Sequence, residues 1–256
     1  PMVGEFYGLE GMSLPTGSTA SFAPLGFLIG ALVEKIPGLK NLHADPETIQ
    51  KKFGIFGEPM IMGAILGCVL GVLAGYDLGG VLKIGISMGA VMLLMPRMVK
   101  ILMEGLIPIS ESVREFLQKK HAGKELYIGL DAALAVGHPS VMATALILVP
   151  IIIFLAVILP GNKVLPFGDL ATIPFYVAFI VGSRKGNIVH SVITGTILMA
   201  LSLYMATDFA NVHTQMLAQA HFQMPEGATK ITSIDMGGNL LNWLILKFSE
   251  LMKGFF

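Results

Sequence analysis

Charged residues are scarce in this chain. Only 13% of its 256 residues are charged, whereas 54% are hydrophobic and the mean hydropathy is +0.75. A soluble domain carries roughly 25% charged residues. The formal net charge is zero, so no basic surface for nucleic acid is expected. The shortage of charge therefore predicts a protein whose partner is the lipid bilayer rather than nucleic acid.

Cysteine and the common cofactor motifs are also nearly missing. Cys68 is the single cysteine, which excludes an internal disulfide and a cysteine-rich metal site. We interpret it as a packing residue within an apolar run. The spacing of His213 and His221 is not a metal-ligand signature, and segment 208–238 is interpreted as a solvated loop. No glycine-rich nucleotide loop is present, so neither a metal nor a cofactor is expected.

Long apolar runs are what the chain has instead. A membrane-spanning helix needs about 20 mostly apolar residues. A further apolar stretch from about 239 is interrupted by charges and is predicted to be a partial or interfacial helix. Both ends of the chain look cut, so we expect a portion of a longer membrane protein. Six runs approach the required length: 22–37, 58–76, 80–96, 140–160, 169–184 and 188–206.

Basic residues give these runs an orientation. Lysine and arginine are concentrated at 37–53, 97–125 and 183–187, which the positive-inside rule places in the cytoplasm. The turn at 77–80 and the loop at 161–167 then face outward. Six crossings close consistently under this assignment, which predicts a multi-pass protein of the bacterial cytoplasmic (inner) membrane.

Two small-residue segments are too polar to be ordinary spans. Segments 8–21 and 129–140 each combine glycine, proline, an acid and other polar residues. Irregular backbone survives at membrane depth only where it lines a cavity or is buried in protein. We predict two re-entrant hairpins. The alternative is a pair of surface loops.

A short pattern occurs twice. Phe56-Gly57-Glu58 and Phe167-Gly168-Asp169 each place a carboxylate where an apolar run begins. Charge at such a position commonly marks a substrate or ion path. With the two hairpins, the pattern predicts a duplicated, inverted-repeat transporter. The predicted organisation is 1–96 for the first hairpin and spans 1–3, 97–126 for a cytoplasmic connector, 127–206 for the second hairpin and spans 4–6, and 207–256 for an external loop and partial terminal helix.

The connector at 97–126 has an amphipathic pattern that we expect to be broken at Pro108. It either docks a cytoplasmic partner or lies on the membrane surface or against the protein body.

Several longer motifs carry a family resemblance. They are Glu10-Gly11-Met12-Ser13-Leu14-Pro15, Glu34-Lys35-Ile36-Pro37-Gly38, Lys52-Phe53-Gly54-Ile55-Phe56-Gly57-Glu58-Pro59, Leu73-Ala74-Gly75-Tyr76-Asp77, Ala90-Val91-Met92-Leu93-Leu94-Met95-Pro96-Arg97, Gly129-Leu130-Asp131, Gly137-His138, Pro160-Gly161-Asn162 and Val164-Leu165-Pro166-Phe167-Gly168-Asp169-Leu170-Ala171-Thr172. With these motifs the chain resembles the galactitol-specific IIC permeases of the bacterial phosphotransferase system, part of a superfamily with the ascorbate IIC permeases. The resemblance covers nearly the whole chain.

The resemblance implies an all-α, polytopic membrane fold with re-entrant hairpins and an elevator-like motion. It implies a homodimer that translocates galactitol or a related sugar alcohol. It also implies that a phosphocysteine on a separate IIB subunit phosphorylates the substrate on the cytoplasmic side. One position departs from the family, which usually has histidine where this chain has Thr16. This departure leaves the identity of the polyol open.

A polyol site needs many hydrogen-bonding groups. Asp131 is the leading candidate ligand, because a hydrogen bond to a charged group contributes about 1.5–3 kcal/mol. His138 is expected to orient a hydroxyl or relay a proton. Glu58 is a candidate general base for the attacking hydroxyl. Asp169 and the hydroxyls of Thr16, Ser18 and Thr19 complete the predicted site.

Each of these residues has a structural alternative. The acids at 58, 131 and 169 can cap helices or loops, His138 can be a packing residue, and the hydroxyls can stabilise a turn.

Two other functions remain open. One is an ion-coupled secondary transporter of a small polar solute, in which Glu58 and Asp169 bind the ion. The other is a membrane scaffold or receptor that holds a partner through 97–126.

Overall fold

The computed structural model describes residues 2–8, 12–39, 42–53, 58–120, 128–129, 132–224 and 229–253. Within these ranges the chain is helical except for two strands of two residues each and the connecting turns, which confirms the all-α class and adds a small strand pair that the sequence did not predict. The elements are α1 (Met2–Phe6), β1 (Met12–Ser13), α2 (Gly17–Ala20), α3 (Ala23–Val33), α4 (Pro46–Phe53), α5 (Pro59–Leu73), α6 (Leu78–Lys120), β2 (Ile128–Gly129), α7 (Ala133–Val136), α8 (Pro139–Ile158), a 3₁₀ helix (Phe167–Thr172), α9 (Ile173–Ser183), α10 (Ile188–Gln219), α11 (Ile234–Gly237) and α12 (Leu240–Lys253).

Four apolar helices start in the same way. Pro24, Pro59, Pro139 and Pro174 occupy the first or second position of α3, α5, α8 and α9. Proline suits this position because its missing N–H would have had no partner within the helix and its φ is already helical. The prolines therefore fix where these apolar runs become helices.

The main core lies between α3, α8, α9 and α10, with α1 and α2 packed against α9. Its largest fully buried side chains include Tyr176, Phe22, Leu148 and Leu198. The pair α5 and α6 forms a second body that packs against α8 through Met92, Met142 and Leu146. The core thus joins helices from both halves of the chain.

The two predicted hairpin segments meet through a parallel pair of strands. Met12 pairs with Ile128 and Ser13 pairs with Gly129. The elements that follow keep the same spacing, because β2, α7 and α8 each begin 116 residues after β1, α2 and α3 respectively. The paired strands are therefore equivalent positions of two similarly built segments.

Two predicted boundaries are wrong. Helix α6 continues from Leu78 to Lys120 without ending at Pro108, where Ser112 Oγ donates to the Pro108 carbonyl. Helix α10 continues to Gln219, so the first part of the segment interpreted as a loop from 208 is helical. Its polar residue Asp208 accepts a hydrogen bond from Trp243 Nε1 of α12 at 2.9 Å, so a neighbouring helix satisfies the charge there.

Two helices, α8 and α10, are long and apolar enough to cross a membrane by length and composition. Shorter apolar helices cover 17–33, 60–73, 78–94 and 168–183. Many large apolar side chains on these helices are exposed, including Leu28, Val72, Ile86 and Val157. The outside of the protein is therefore apolar along several helices.

Candidate functional site

The hairpin segments are joined by a side-chain hydrogen bond as well as by their strands. Thr16 Oγ1 accepts from the Ala132 N–H at 2.8 Å, and Ala132 is fully buried. Gly129 lies against Pro15, since a Cβ at 129 would be 3.1 Å from the Pro15 Cγ. The Pro15 ring therefore packs directly over residue 129. The structure brings together the two segments that the sequence predicted as hairpins.

The first segment presents hydroxyls from the short helix α2. Thr19 is fully buried, and its Oγ1 has no hydrogen-bond partner among the described residues. Ser18 is half-buried beside it. An unpaired buried hydroxyl costs about 1–3 kcal/mol, so Thr19 is suited to pairing with a hydroxylated ligand or with water.

His138 stands at the start of α8. Its Nδ1 accepts from the Ser140 N–H at 3.2 Å, so the ring caps the helix. The ring also packs on Phe6 and Tyr7, with centroids 4.8 and 5.5 Å away. Tyr7 is held in turn by its hydroxyl, which donates to the Ala178 carbonyl at 2.6 Å. Because Nδ1 accepts, Nε2 is the nitrogen left to donate, which is consistent with both the packing and the ligand-orienting hypotheses.

Buried hydroxyls continue from this point along the packed helices α8 and α10. Gly186 lies beside Ser140 and Gly195 beside Leu148, so the two helices run in the same direction. The intervening turns carry further hydroxyls on both helices. Four side chains, Ser140, Thr144, Ser191 and Thr194, are buried with hydroxyl oxygens that have no hydrogen-bond partner among the described residues.

Helical hydroxyls elsewhere behave differently. Thr196, Ser202 and Thr214 each donate to the carbonyl one turn earlier in α10. This is the usual arrangement of serine and threonine within helices. The unpaired set between α8 and α10 is therefore a local feature, and it gives the region capacity to bind hydroxyl groups or water.

Glu58 occupies the cap position of α5 but does not cap it through its side chain. The side chain is half-buried and makes no capping hydrogen bond, while the main-chain carbonyl accepts from Met62 N at 2.9 Å. Met62 packs against a cluster that contains Val136 of α7 and Met142 of α8. The start of α5 therefore lies beside the second hairpin segment, with the carboxylate not used as a cap.

Asp169 has a structural role at a different place. Its Oδ2 accepts from the Ile234 N–H at 2.8 Å, which joins the 3₁₀ helix to α11. The capping positions of the 3₁₀ helix and α9 are Pro166 and Thr172. The residues around His138 instead contact the far end of α9 near Gly182. The structure does not bring Asp169 together with His138.

Asp131 lies outside the described residues. In sequence it stands between Gly129 and Ala132, both of which contact the first segment. Its predicted role as a ligand stays a prediction. Within the described part of the chain, no group of three or more His, Cys, Asp or Glu residues is placed to hold a metal ion.

Two features were missed by the sequence reasoning. The aromatic cover of His138 by Phe6 and Tyr7 comes from α1, a segment with no motif of its own. Arg184 served only to indicate orientation, yet its side chain is 8% exposed and lies beside α3. The signal available in the sequence was the position of Arg184 directly before Lys185-Gly186-Asn187, where the next apolar helix begins.

Comparison with known proteins gives one family. The family described as the PTS system sugar-specific permease component, EIIC-GAT, matches residues 1–227. The galactitol-specific EIIC component of Escherichia coli K12 is 45% identical over 243 residues, or 95% of this chain and 53% of that protein. The protein of the same description from E. coli O157:H7 has the same identity and coverage.

A putative permease IIC component of E. coli K12 is 42% identical over 251 residues, or 98% of this chain and 56% of that protein. The chain thus spans about half the length of the curated relatives it matches. No solved structure matches. The chain belongs to the EIIC-GAT family of sugar-specific permease components of the phosphotransferase system.

Proposed function

We propose that this chain forms part of a IIC permease that translocates galactitol or a related sugar alcohol and couples translocation to phosphorylation of the substrate. The observation that carries the proposal is the junction of segments 12–20 and 128–140 in a member of this family. The relatives named as galactitol-specific support the substrate class.

The chemistry of the junction suits a polyol. A sugar alcohol is neutral and carries a hydroxyl on each carbon, so its site needs many donors and acceptors. Thr16 keeps its O–H for donation after accepting from Ala132, and the buried hydroxyls of Thr19 and Ser140 lack protein partners among the described residues. We assign Thr16, Ser18, Thr19, His138 and Asp131 to substrate binding.

Asp169 is a weaker candidate than these residues. Its carboxylate already pairs with the Ile234 N–H, and it lies in the 3₁₀ helix before the start of α9, whereas the residues around His138 contact the opposite end of α9 near Gly182. A ligand role for Asp169 would require it to release that contact.

The phosphoryl step needs a base and an external donor. The substrate hydroxyl oxygen attacks the phosphorus of phosphocysteine on the IIB subunit. The phosphorus–sulfur bond breaks, the thiolate leaves, and the hydroxyl proton passes to a base. We assign that base to Glu58, whose carboxylate makes no capping bond, with His138 as the orienting or relaying group. Positioning supplies most of the catalysis in such transfers.

The setting is the bacterial cytoplasmic membrane, which the protein crosses several times. The exposed apolar side chains of α3, α5, α6 and α8 would face lipid. In water, the exposure of these side chains would cost about 25 cal/mol per Å² of apolar surface. The two helices of full spanning length and the four shorter apolar ones supply the crossings.

The duplication supports an inverted repeat with an elevator-like motion. The equal spacing of strand, short helix and long helix in the two segments, and the pairing of equivalent strand residues, are what a pseudo-two-fold axis along the strands would produce. In the full-length homodimer, the joined hairpins would move together as one substrate-carrying unit.

A transport assay tests the proposal. Cells that express the full-length permease receive labelled galactitol, with and without the IIB subunit, and the intracellular label is separated into free and phosphorylated forms. We expect phosphorylated product only when IIB is present. Accumulation of free galactitol that collapses with the ion gradient would instead establish the ion-coupled carrier. Absence of any uptake or binding would favour the scaffold.

The site assignment has its own test. We expect Asp131→Asn to abolish galactitol binding while the unfolding midpoint of the purified protein stays unchanged. Glu58→Gln should keep galactitol binding but lose phosphorylation. If Asp131→Asn binds galactitol with wild-type affinity, Asp131 is not a ligand.

A further inference from the structure

A basic cleft lies at the turn between α9 and α10, on the side away from the candidate substrate site. It has a volume of about 760 Å³ and is open to solvent on one side. Among the described residues that line it, Lys35, Arg184 and Lys185 are cationic and Glu34 is anionic. His43 and His190 also contribute to the wall, and His43 Nε2 lies 2.7 Å from Asp45 Oδ2 behind it. The formal charge of the cleft is therefore positive with both histidines neutral.

Arg184 is buried in this wall rather than extended into solvent. Its side chain is 8% exposed, and a Cβ at Gly30 of α3 would lie 3.2 Å from its Nε. Nε donates to Ser183 Oγ at 3.2 Å. The absence of a side chain at residue 30 thus gives the guanidinium room to pack against α3.

The guanidinium is paired with a carboxylate that is itself partly open to solvent. Nη1 lies 2.7 Å from Glu34 Oε1, within ion-pair distance, and Glu34 is about half exposed, at 48%. A buried arginine favours an oxyanion partner, because its planar fork matches phosphate and carboxylate oxygens.

The start of α10 adds to the positive character. Asn187 caps this helix of 32 residues by accepting from the His190 N–H, and it lines the same cleft. The amino end of a helix carries a partial positive charge and favours anions. The helix start and the buried arginine therefore converge on one cleft.

The cleft is adjacent to the candidate substrate site. Gly186 separates them, since a Cβ at that position would lie 3.1 Å from Ser140 Oγ and 3.0 Å from the Phe6 ring. Phe6 in turn packs on His138. A substrate released past His138 would meet the basic wall within one turn of chain.

We propose that the cleft between α3 and the α9–α10 turn binds the phosphate group of the phosphorylated sugar alcohol as the product leaves the hairpin junction. Arg184 and Lys35 contact the phosphate oxygens, with Lys185 at the rim. Glu34 competes for Arg184 and keeps the site from retaining the product. The inference rests on the proposed function, and it concerns a subsite that the polyol alone does not occupy.

The test is direct binding to the full-length protein in nanodiscs of neutral phosphatidylcholine, measured by calorimetry with galactitol phosphate, galactitol and inorganic phosphate. We expect Arg184→Gln to weaken binding of galactitol phosphate by about tenfold or more and to leave galactitol binding unchanged. Lys35→Gln should weaken it by a smaller factor. Lys163→Gln is the matched control, because Lys163 is an exposed lysine outside the cleft.

Glu34→Gln should change the affinity for galactitol phosphate in the direction opposite to Arg184→Gln. Removal of the competing carboxylate should tighten binding of galactitol phosphate and inorganic phosphate. If the Glu34–Arg184 pair has only a structural role, neither Glu34→Gln nor Arg184→Gln should bind galactitol phosphate or inorganic phosphate more tightly than the wild type. Equal affinities of wild type, Arg184→Gln and Glu34→Gln for galactitol phosphate would overturn the proposal.

A lipid headgroup has the same phosphate chemistry and is distinguished by a second arm. Discs containing phosphatidylglycerol replace the neutral ones, and retained lipid is quantified after purification. Enrichment of phosphatidylglycerol that depends on Arg184, without binding of galactitol phosphate, would overturn the proposal. The transport assay separates this proposal from the proposed function. If Arg184→Gln binds galactitol phosphate with wild-type affinity while phosphorylated product still forms, the subsite is rejected and the proposed function stands.

Discussion

A single hydroxyl group has a structural role at the junction of the two predicted hairpin segments and also belongs to the proposed substrate site. The family resemblance predicts histidine where this chain has Thr16, and the Thr16 oxygen receives the Ala132 N–H across 116 residues of chain. A hydroxyl has one donor and two acceptor positions, so the same group can still donate to a polyol. The departure from the family thus falls on a residue that joins the two halves of the site.

Replacement of Thr16 tests this joining role. We expect Thr16→Val to lower the free energy of unfolding by about 1–3 kcal/mol, because the buried Ala132 N–H loses its partner. Thr16→Ser keeps the oxygen and should stay close to wild type. Thermal unfolding of the purified protein in detergent measures both. Equal midpoints for the valine and serine variants would contradict the prediction.

Asp169 provides the matching prediction away from the junction. Its carboxylate pairs with the Ile234 N–H, a fully buried residue. Asp169→Ala should cost about 1–3 kcal/mol of stability, and Asp169→Asn clearly less, since an amide oxygen still accepts. Galactitol affinity should be unchanged in the asparagine variant. Loss of binding with full stability would return Asp169 to the substrate site.

Glycine spacing governs how the elements approach one another. Glycines of both helices lie in the interface between α5 and α6, where Gly67 meets the Gly85 backbone and Gly63 meets the Met88 carbonyl. A Cβ at Gly89 would lie 2.9 Å from the Met60 carbonyl oxygen, which cannot move aside. Small residues four apart are typical of close helix pairs in membranes. The chain's 30 glycines among 256 residues suit this kind of packing.

The glycines of α6 offer a matched pair of variants. Gly89→Ala should destabilise the α5–α6 pair, because the methyl group meets backbone. Gly105→Ala should be neutral or stabilising by up to about 1 kcal/mol, because nothing lies within 4 Å of its Cβ position and alanine favours helix. Unfolding midpoints of the two variants measure the difference. Equal effects would contradict close packing at Gly89.

The length of α6 bears on the cytoplasmic connector. Its 43 residues extend about 64 Å at about 1.5 Å per residue, against a hydrocarbon core of about 30 Å. A helix whose first half crosses the bilayer must therefore continue outside it. The connector at 97–126 remains a prediction, while the helix break at Pro108 is wrong.

For the protein as a unit, the junction of the two predicted hairpin segments is the decisive feature. Their strands pair equivalent residues of the two segments, with Ser13 opposite Gly129. An elevator-like motion requires that the two segments move together, whereas a gate formed between the segments requires that they separate. The strand pair offers a way to distinguish the two.

A disulfide across the strands makes the distinction. Neighbouring strands lie about 4.8 Å apart, within the range of about 4.4–6.8 Å that disulfides bridge. We expect Ser13→Cys with Gly129→Cys, in a Cys68→Ala background, to cross-link and to keep galactitol uptake within about twofold of the reduced protein. Each single cysteine variant is the control. Uptake that stops on oxidation and returns on reduction would contradict joint movement of the hairpins.

Local patterns predicted the helical class and the helix starts well. The prolines at 24, 59, 139 and 174 each stand within the first two positions of a helix, and the apolar runs that follow them form helices. The extent of α10 was not predictable in this way, because its polar residue Asp208 is satisfied by Trp243 and Lys247 of a helix that comes much later in the chain. Contacts between distant segments override local polarity there.

Composition, proline positions and family motifs are local properties of the chain, and from them the sequence predicts a helical protein that is apolar on its outside and related to sugar-specific permeases. The three-dimensional contacts alone reveal that Thr16 reaches Ala132, that the start of α5 lies beside α7 and α8, and that Arg184 is buried beside Gly30. These contacts join residues far apart in sequence, so packing determines them. Which backbone approaches which side chain is set by how the helices fit together, and no local pattern records it.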